Sequence, residues 1–323
     1  MCAHRLFIFS SDMKRFVTRL AFFCVLLYTL LAVLDISVSS RFWKSRDFVY
    51  AAWNDILKGN MANDIVIMGS SRAWTQYSPF VLDSILGTTT YNLGCDGSNV
   101  SRQIPRFNVY RANNAKPKLV IQNIDWNGTM EYGNQYLRKQ FFPYFYNKSM
   151  RDYALDYEDF DLTDKYFPLH RYNYFTNITC AIKSADSVFV IPQKNYYGWD
   201  LQWNGENYNK VDTIKFMVDK RAADMFREYL RQCRKDSVQV VFVYAPIYIG
   251  ATQKVANLSE MYSTYKSFAD EFNIPILDYT YSYISQDTNY FYNATHLNKT
   301  GSTEFSIMLA NDIEKLIWPL VKQ

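Results

Sequence analysis

The stretch Asp64-Ile65-Val66-Ile67-Met68-Gly69-Ser70-Ser71-Arg72 decides how the rest of the chain is read. Asp64 to Met68 is a short apolar run rich in β-branched residues. It lacks the polar alternation of a half-exposed strand, so it reads as a strand buried on both faces of a parallel sheet. The run ends at a glycine and two serines, and the loops after the carboxyl ends of such strands are where open α/β sheets hold ligands and reacting groups.

Working outward, four runs of the same kind follow, from Thr89 to Leu93, Lys118 to Ile121, Val238 to Tyr244 and, shorter, Ile274 to Leu277. Helix-like stretches accompany them, from Asp47 to Leu57, Pro79 to Leu86, Ser101 to Asn113, Ile214 to Lys235, Ser259 to Phe272 and Ser302 to Leu320. This alternation predicts an α/β fold with a central parallel sheet, right-handed crossovers and helices on both faces. The segment from about 126 to 212 breaks the rhythm. It is crowded with Tyr, Phe, Asn and Trp, and reads as an insertion beside the site.

With 323 residues and 49% apolar composition the chain can bury one large core, and 11 Gly and 9 Pro are too few for long disordered linkers. Leu20 to Leu34 is an uncharged apolar run, extended by Phe16 and Val17, and Arg19 and Asp35 can snorkel from its ends. The expectation is a single-pass membrane anchor in residues 1–40 with the domain in 41–323. A cleaved signal peptide is the rival reading, supported by Ser37, Ser39 and Ser40 but opposed by the long segment before the run and the lack of an A-x-A site. Arg5, Lys14, Arg15 and Arg19 before the run, against Arg41, Lys44 and Arg46 after it, bias the N-terminus only slightly toward the cytoplasm.

The net charge of +4 is confined to that end. Residues 1–46 carry a net +5, leaving 28 basic and 29 acidic residues beyond them, so no nucleic-acid partner is expected. Five cysteines show no C-x-x-C pairing and no metal-ligand spacing with the three histidines, and neither a metal nor another cofactor is expected.

Each predicted strand end carries polar residues: Gly69-Ser70-Ser71-Arg72, then Asn92-Leu93-Gly94-Cys95-Asp96-Gly97-Ser98-Asn99, then Gln122-Asn123-Ile124-Asp125-Trp126-Asn127. Near the C-terminus stands Asn293-Ala294-Thr295-His296-Leu297-Asn298. In order and placement these blocks resemble those of the SGNH (GDSL-like) hydrolase superfamily, over roughly 64–127 and 238–320. The resemblance implies a flavodoxin-like three-layer sandwich, with Ser71 as nucleophile and His296 as base. It implies an oxyanion hole from the Ser71 and Gly97 backbone and the Asn127 side chain, with Gly94 and Asn123 as alternative registers. Where the family pattern has Asp three residues before the histidine, this chain has Asn293.

The chemistry explains the residue types. A serine hydroxyl needs a base within hydrogen-bond reach, and the tetrahedral oxyanion needs preorganised donors. An Asn in place of the acid leaves three readings: Asp287 or Asp278 reaches His296, a Ser–His dyad suffices, or the site is degenerate. The function implied is an acyl ester hydrolase or acyltransferase acting on an acylated cell-envelope glycan, with the domain periplasmic or extracellular. The competing reading is a catalytically silent binding or assembly protein in glycan modification or export. Trp199 and Trp203, with Tyr196 and Tyr197, are candidates for stacking on sugar rings, and His170 for packing or substrate contact.

Overall fold

The structure, a computed structural model, describes residues 11–125, 138–148, 150–151, 162–174, 182–183, 193–196, 198, 200–205 and 213–317. Five parallel strands, β1 (Ile65–Met68), β2 (Thr90–Asn92), β3 (Leu119–Asn123), β4 (Gln239–Tyr244) and β5 (Ile276–Asp278), form one sheet in the order β2-β1-β3-β4-β5. This is the flavodoxin-like order of doubly wound folds. The registers Ile65↔Leu119 and Leu119↔Gln239 align the strands at their amino ends.

The apolar runs lack polar alternation because both faces are covered. Ile65, Ile67, Leu119, Ile121, Val241 and Val243 face one layer, with Tyr77, Leu82, Phe305 and Leu309. Val66, Met68, Val120, Val240 and Phe242 face the other, with Trp53, Phe107, Phe226, Tyr265 and Phe268. The first layer is built by α3 (Ser71–Gln76), α4 (Pro79–Leu86) and α8 (Lys299–Asp312). The second is built by α2 (Phe48–Leu57), α5 (Val100–Asn113), α6 (Lys220–Lys235) and α7 (Leu258–Phe272).

Helix α1 (Ser11–Phe42) precedes the domain and, among the described residues, is the one helix long and apolar enough to cross a membrane, an 18-residue stretch of it having a mean hydropathy of 2.3. It is longer than the apolar run because its last turns pack on the body. Asp35, Val38, Ser39 and Phe42 are buried, and Phe42 stacks with Tyr172 of the insertion.

Two expected helix starts move for local reasons. Helix α6 begins at Lys220, not Ile214, where the Asp219 carboxylate accepts from Ala222 N at 3.0 Å. Upstream, Ile214 bridges to Val255, and Phe216 exchanges backbone hydrogen bonds with the Asn257 amide, so these residues are held as extended chain. Helix α8 begins at Lys299, capped by Asn298 Oδ1 accepting from Gly301 N at 3.0 Å, and passes after Asp312 into a π turn over Ile313–Ile317. A small antiparallel hairpin, β6 (Phe291–Asn293) with β7 (His296–Leu297), stands before α8 and has no counterpart in the sequence reading.

Candidate active site

Strand β1 delivers the chain to Gly69, where a Cβ would stand 2.6 Å from the Ala73 Cβ and 2.9 Å from the Asn123 Cβ. Only glycine lets the backbone turn this close to β3. Ser70 then takes the N-cap position of α3, and Ser71 is the first residue of that helix. At the other end of α3, Gln76 Nε2 donates to Thr295 O at 2.8 Å, so the short helix that carries Ser71 also fixes the β6–β7 turn. That turn brings His296 Nε2 to 2.9 Å from Ser71 Oγ.

The Asn293 side chain settles the state of the ring. Its Oδ1 accepts from Thr295 N and His296 N, each at 3.0 Å, which identifies that atom as the amide oxygen. His296 Nδ1 lies 3.0 Å from the same oxygen, so Nδ1 carries the hydrogen and donates it. Nε2 is then the lone-pair nitrogen facing the serine hydroxyl. Thr295 Oγ1, also 3.0 Å from Nδ1, is a further polar neighbour that sequence reading missed. Burial, and secondarily the charge of Arg72, lowers the His296 pKa to about 4, so the ring is neutral at pH 7.

Asp287 and Asp278 each accept from a nearby backbone N–H. Asp287 Oδ1 accepts from Asn289 N at 2.9 Å, and Asp278 Oδ1 from Thr280 N at 2.9 Å. Beneath Ser71 lies a buried polar cluster. Asp125 Oδ2 accepts from Ser70 Oγ at 3.2 Å and Asn123 Nδ2 at 2.9 Å, and stands 3.5 Å from the Arg72 guanidinium. Arg72 also donates to Ala245 O at 2.7 Å, tying the start of α3 to the end of β4. Tyr77 Oη donates to Asn123 Oδ1 at 2.7 Å, and its burial pushes the phenol well above its ordinary pKa.

No family model and no curated protein sequence matches the chain. Solved structures do. A GDSL-like lipase of Bacteroides thetaiotaomicron aligns with 84% of this chain and 100% of its own, at 12% identity and TM-score 0.41. A carbohydrate esterase family 2 enzyme of Corynascus thermopiles (Myceliophthora fergusii) aligns with 79% of this chain and 67% of its own, at 10% identity and TM-score 0.40. An acetyl xylan esterase of the rumen bacterium Butyrivibrio proteoclasticus aligns with 79% of this chain and 64% of its own, at 8% identity and TM-score 0.35. No residue role is taken from these likenesses; the strand order, the serine after β1 and the histidine before α8 are this chain's own.

The side chains around the sheet distinguish the alternative registers. The buried Asn123 side chain donates one N–H to Asp125 and accepts from Tyr77 with its oxygen. Asn127 lies outside the described residues. Gly94 is structural: its N donates to Asn92 Oδ1 at 2.8 Å, and a Cβ there would stand 2.4 Å from Trp74 N. Gly97 occupies the turn closed by Ser98 N donating to Cys95 O, with a φ of 59° that favours glycine. Cys95 N donates to Gly69 O at 3.3 Å, which draws that loop against the Ser71 turn.

Of the aromatic candidates, Trp203 is half-buried beside the hairpin. Its ring centroid is 5.5 Å from Tyr248, and the adjacent Asn204 N donates to Tyr292 O at 3.0 Å. Tyr196 is not available for stacking on a ligand. It is buried, and its hydroxyl shares a 2.7 Å hydrogen bond with Ser302. Trp199 and Tyr197 lie outside the described residues. Asn195, unnoticed in the sequence, pins the insertion to the sheet by donating to Asn92 O and Gly94 O. His170 pairs with Asp164 within the insertion, at 2.9 Å. Among the described residues no group of His, Cys, Asp and Glu is placed to hold a metal.

Proposed function

We propose that the chain is a serine-dependent acyl ester hydrolase or O-acyltransferase in which Ser71 is the nucleophile and His296 the base. One observation carries the reading: Ser71 Oγ meets the lone-pair nitrogen of a neutral His296 at 2.9 Å, with the opposite ring nitrogen held by Asn293. Amide-for-carboxylate triads serve cysteine nucleophiles on other folds, so Asn in the third position is compatible with catalysis.

In this mechanism Ser71 Oγ attacks the ester carbonyl carbon while its proton passes to His296 Nε2. The carbonyl oxygen becomes an oxyanion facing the backbone N–H groups of Ser71 and Gly97 and the Asn127 amide; one such donor is worth about 10²–10³ in rate. The intermediate collapses, the C–O bond breaks, and the leaving alcohol takes the proton from His296. Water, or the hydroxyl of an acceptor, then attacks the acyl-Ser71 ester, losing its proton to the same nitrogen, and the acyl bond to Ser71 Oγ breaks as that oxygen takes the proton back from His296.

The substrate proposed is an acylated cell-envelope glycan. Trp203 supports it, as a half-buried aromatic face beside the hairpin that carries His296. Helix α1 is read as a retained single-pass anchor, with the domain periplasmic or extracellular. Its burial of Asp35 and Ser39 within the body favours retention over cleavage. Alkaline phosphatase fused at the C-terminus should be active, and activity of a cytoplasm-restricted reporter there instead would reverse the orientation.

The deciding experiment is labelling of the full chain in detergent with a serine-reactive fluorophosphonate. Stoichiometric labelling, abolished in Ser71→Ala, together with turnover of a small acetyl ester, is expected. A folded protein that neither labels nor turns over would favour the silent binding or assembly reading.

A further inference from the structure

Helix α1 enters the body at the carboxyl edge of the sheet. Helix α5 descends from the carboxyl end of β2, and α2 ends beside the foot of α5, where Asn114 Nδ2 donates to Ile56 O. The start of α2, and with it the end of α1, therefore stands at the edge that carries Ser71 and His296.

From that junction the insertion runs back along α1. At the level of Asp35, a clasp forms: the buried carboxylate accepts from Arg171, from Tyr146 Oη at 2.9 Å and from Leu169 N at 2.6 Å. Seven residues nearer the N-terminus, about 10 Å along a helix, Tyr28 Oη donates to Tyr166 O at 2.9 Å. Tyr28 lies inside the uncharged run from Leu20 to Leu34. Whatever touches it stands below the level of Asp35, on the bilayer side.

The residues presented there are Leu162, Tyr166 and Phe167, exposed by 67%, 55% and 65%. Polarity is arranged to match. The Asp164 carboxylate is turned inward onto His170, whereas Lys165 has a long stem that can carry its ammonium to the headgroups. Aromatic residues with a basic neighbour are the composition that settles at a membrane interface.

We propose that the helical turn Leu162–Tyr166, with Phe167, is a second membrane-contacting element that dips into the headgroup and acyl boundary of a lipid bilayer beside α1. It rests on reading α1 as an anchor. Two contacts at different depths fix the domain's tilt, so the carboxyl edge of the sheet faces the membrane and ester substrates are met close to its surface.

The test places a benzophenone amino acid at Leu26, Phe167 or Lys235 of the full chain, reconstituted in phosphatidylethanolamine and phosphatidylglycerol vesicles. Lys235 is exposed at the opposite edge of the sheet. Lipid adducts on irradiation are expected at Leu26 and Phe167 and not at Lys235. Adducts at Leu26 without lipid adducts at Phe167, or Phe167 adducts to a second copy of the chain in place of lipid, would overturn the proposal alone. Absence of lipid adducts at Leu26 would overturn the anchor reading on which it stands.

Discussion

Asn293 meets His296 with its amide oxygen rather than its amide nitrogen, because the backbone N–H groups of Thr295 and His296 both donate to that oxygen at 3.0 Å. The turn between β6 and β7 thus does by backbone geometry what a carboxylate does by chemistry, fixing which ring nitrogen is protonated. What it does not supply is negative charge to stabilise the imidazolium.

Asn293→Asp should supply that charge. It favours the protonated ring, so the His296 pKa rises from about 4 and the acid limb of kcat/KM moves to higher pH. Turnover of a small acetyl ester at pH 7 to 8 should increase. The gain should stay well below the roughly 10⁴-fold difference known for an Asp-to-Asn change that gives the wrong tautomer, since the tautomer here is already right. An unmoved acid limb in a folded Asn293→Asp protein would show that position 293 is not coupled to the base.

The wild-type pH profile follows from the same group. Catalysis needs His296 neutral, and burial and Arg72 lower its pKa to about 4, so kcat/KM should hold down to roughly pH 5 and fall only near that value. Stability has its own window. Between the ordinary value of 6.5 and about 4 the unfolded chain takes up a proton that the folded ring refuses, so stability falls as pH drops through that range. An acid limb at the ordinary histidine value would mean that the ring is more solvated than its burial indicates.

How much of this was legible in the sequence depended on the range of the interaction. The five strands are short β-branched runs set by local burial, and each is found within a few residues of its expected place. Ser71 and His296 stood out because both sit at strand or helix boundaries. The start of α6 was misread because Phe216 has helix-compatible spacing, yet pairs with Asn257, forty-one residues away. Arg72 and Asp125 stand at the ends of two different strand runs, and their meeting depends on β1 and β3 being neighbours. Asn293 could be seen only as a missing acid, since the backbone donors that orient it exist only in the folded hairpin.

Arg72 and Asp125 make a separate prediction. Their side chains are 5% and 0% exposed, and removing one member of such a buried pair typically costs about 3–5 kcal/mol. Arg72→Met should therefore lower the urea midpoint strongly, and adding Asp125→Asn should recover much of the loss, since a neutral amide no longer needs the cation. If the double variant is as unstable as the single one, Arg72 acts through its bond to Ala245 O instead.

The last prediction concerns where the domain begins. A soluble protein starting at residue 41 loses Asp35, Val38 and Ser39 and leaves Arg171, whose side chain is 2% exposed, without the carboxylate it bonds. By the same reasoning the penalty is about 3–5 kcal/mol, to which the exposed contacts of Val38 add. A protein starting at residue 31 removes most of the apolar run but keeps the clasp of Asp35 with Arg171, Tyr146 and Leu169 N. Urea denaturation of the two soluble proteins should place the longer one several kcal/mol higher. Arg171→Met should narrow the gap, because without the guanidinium the shorter protein has no buried charge left over. Equal stabilities for the two lengths would mean that the end of α1 lies on the body without contributing to it, and that the folded unit starts after residue 40.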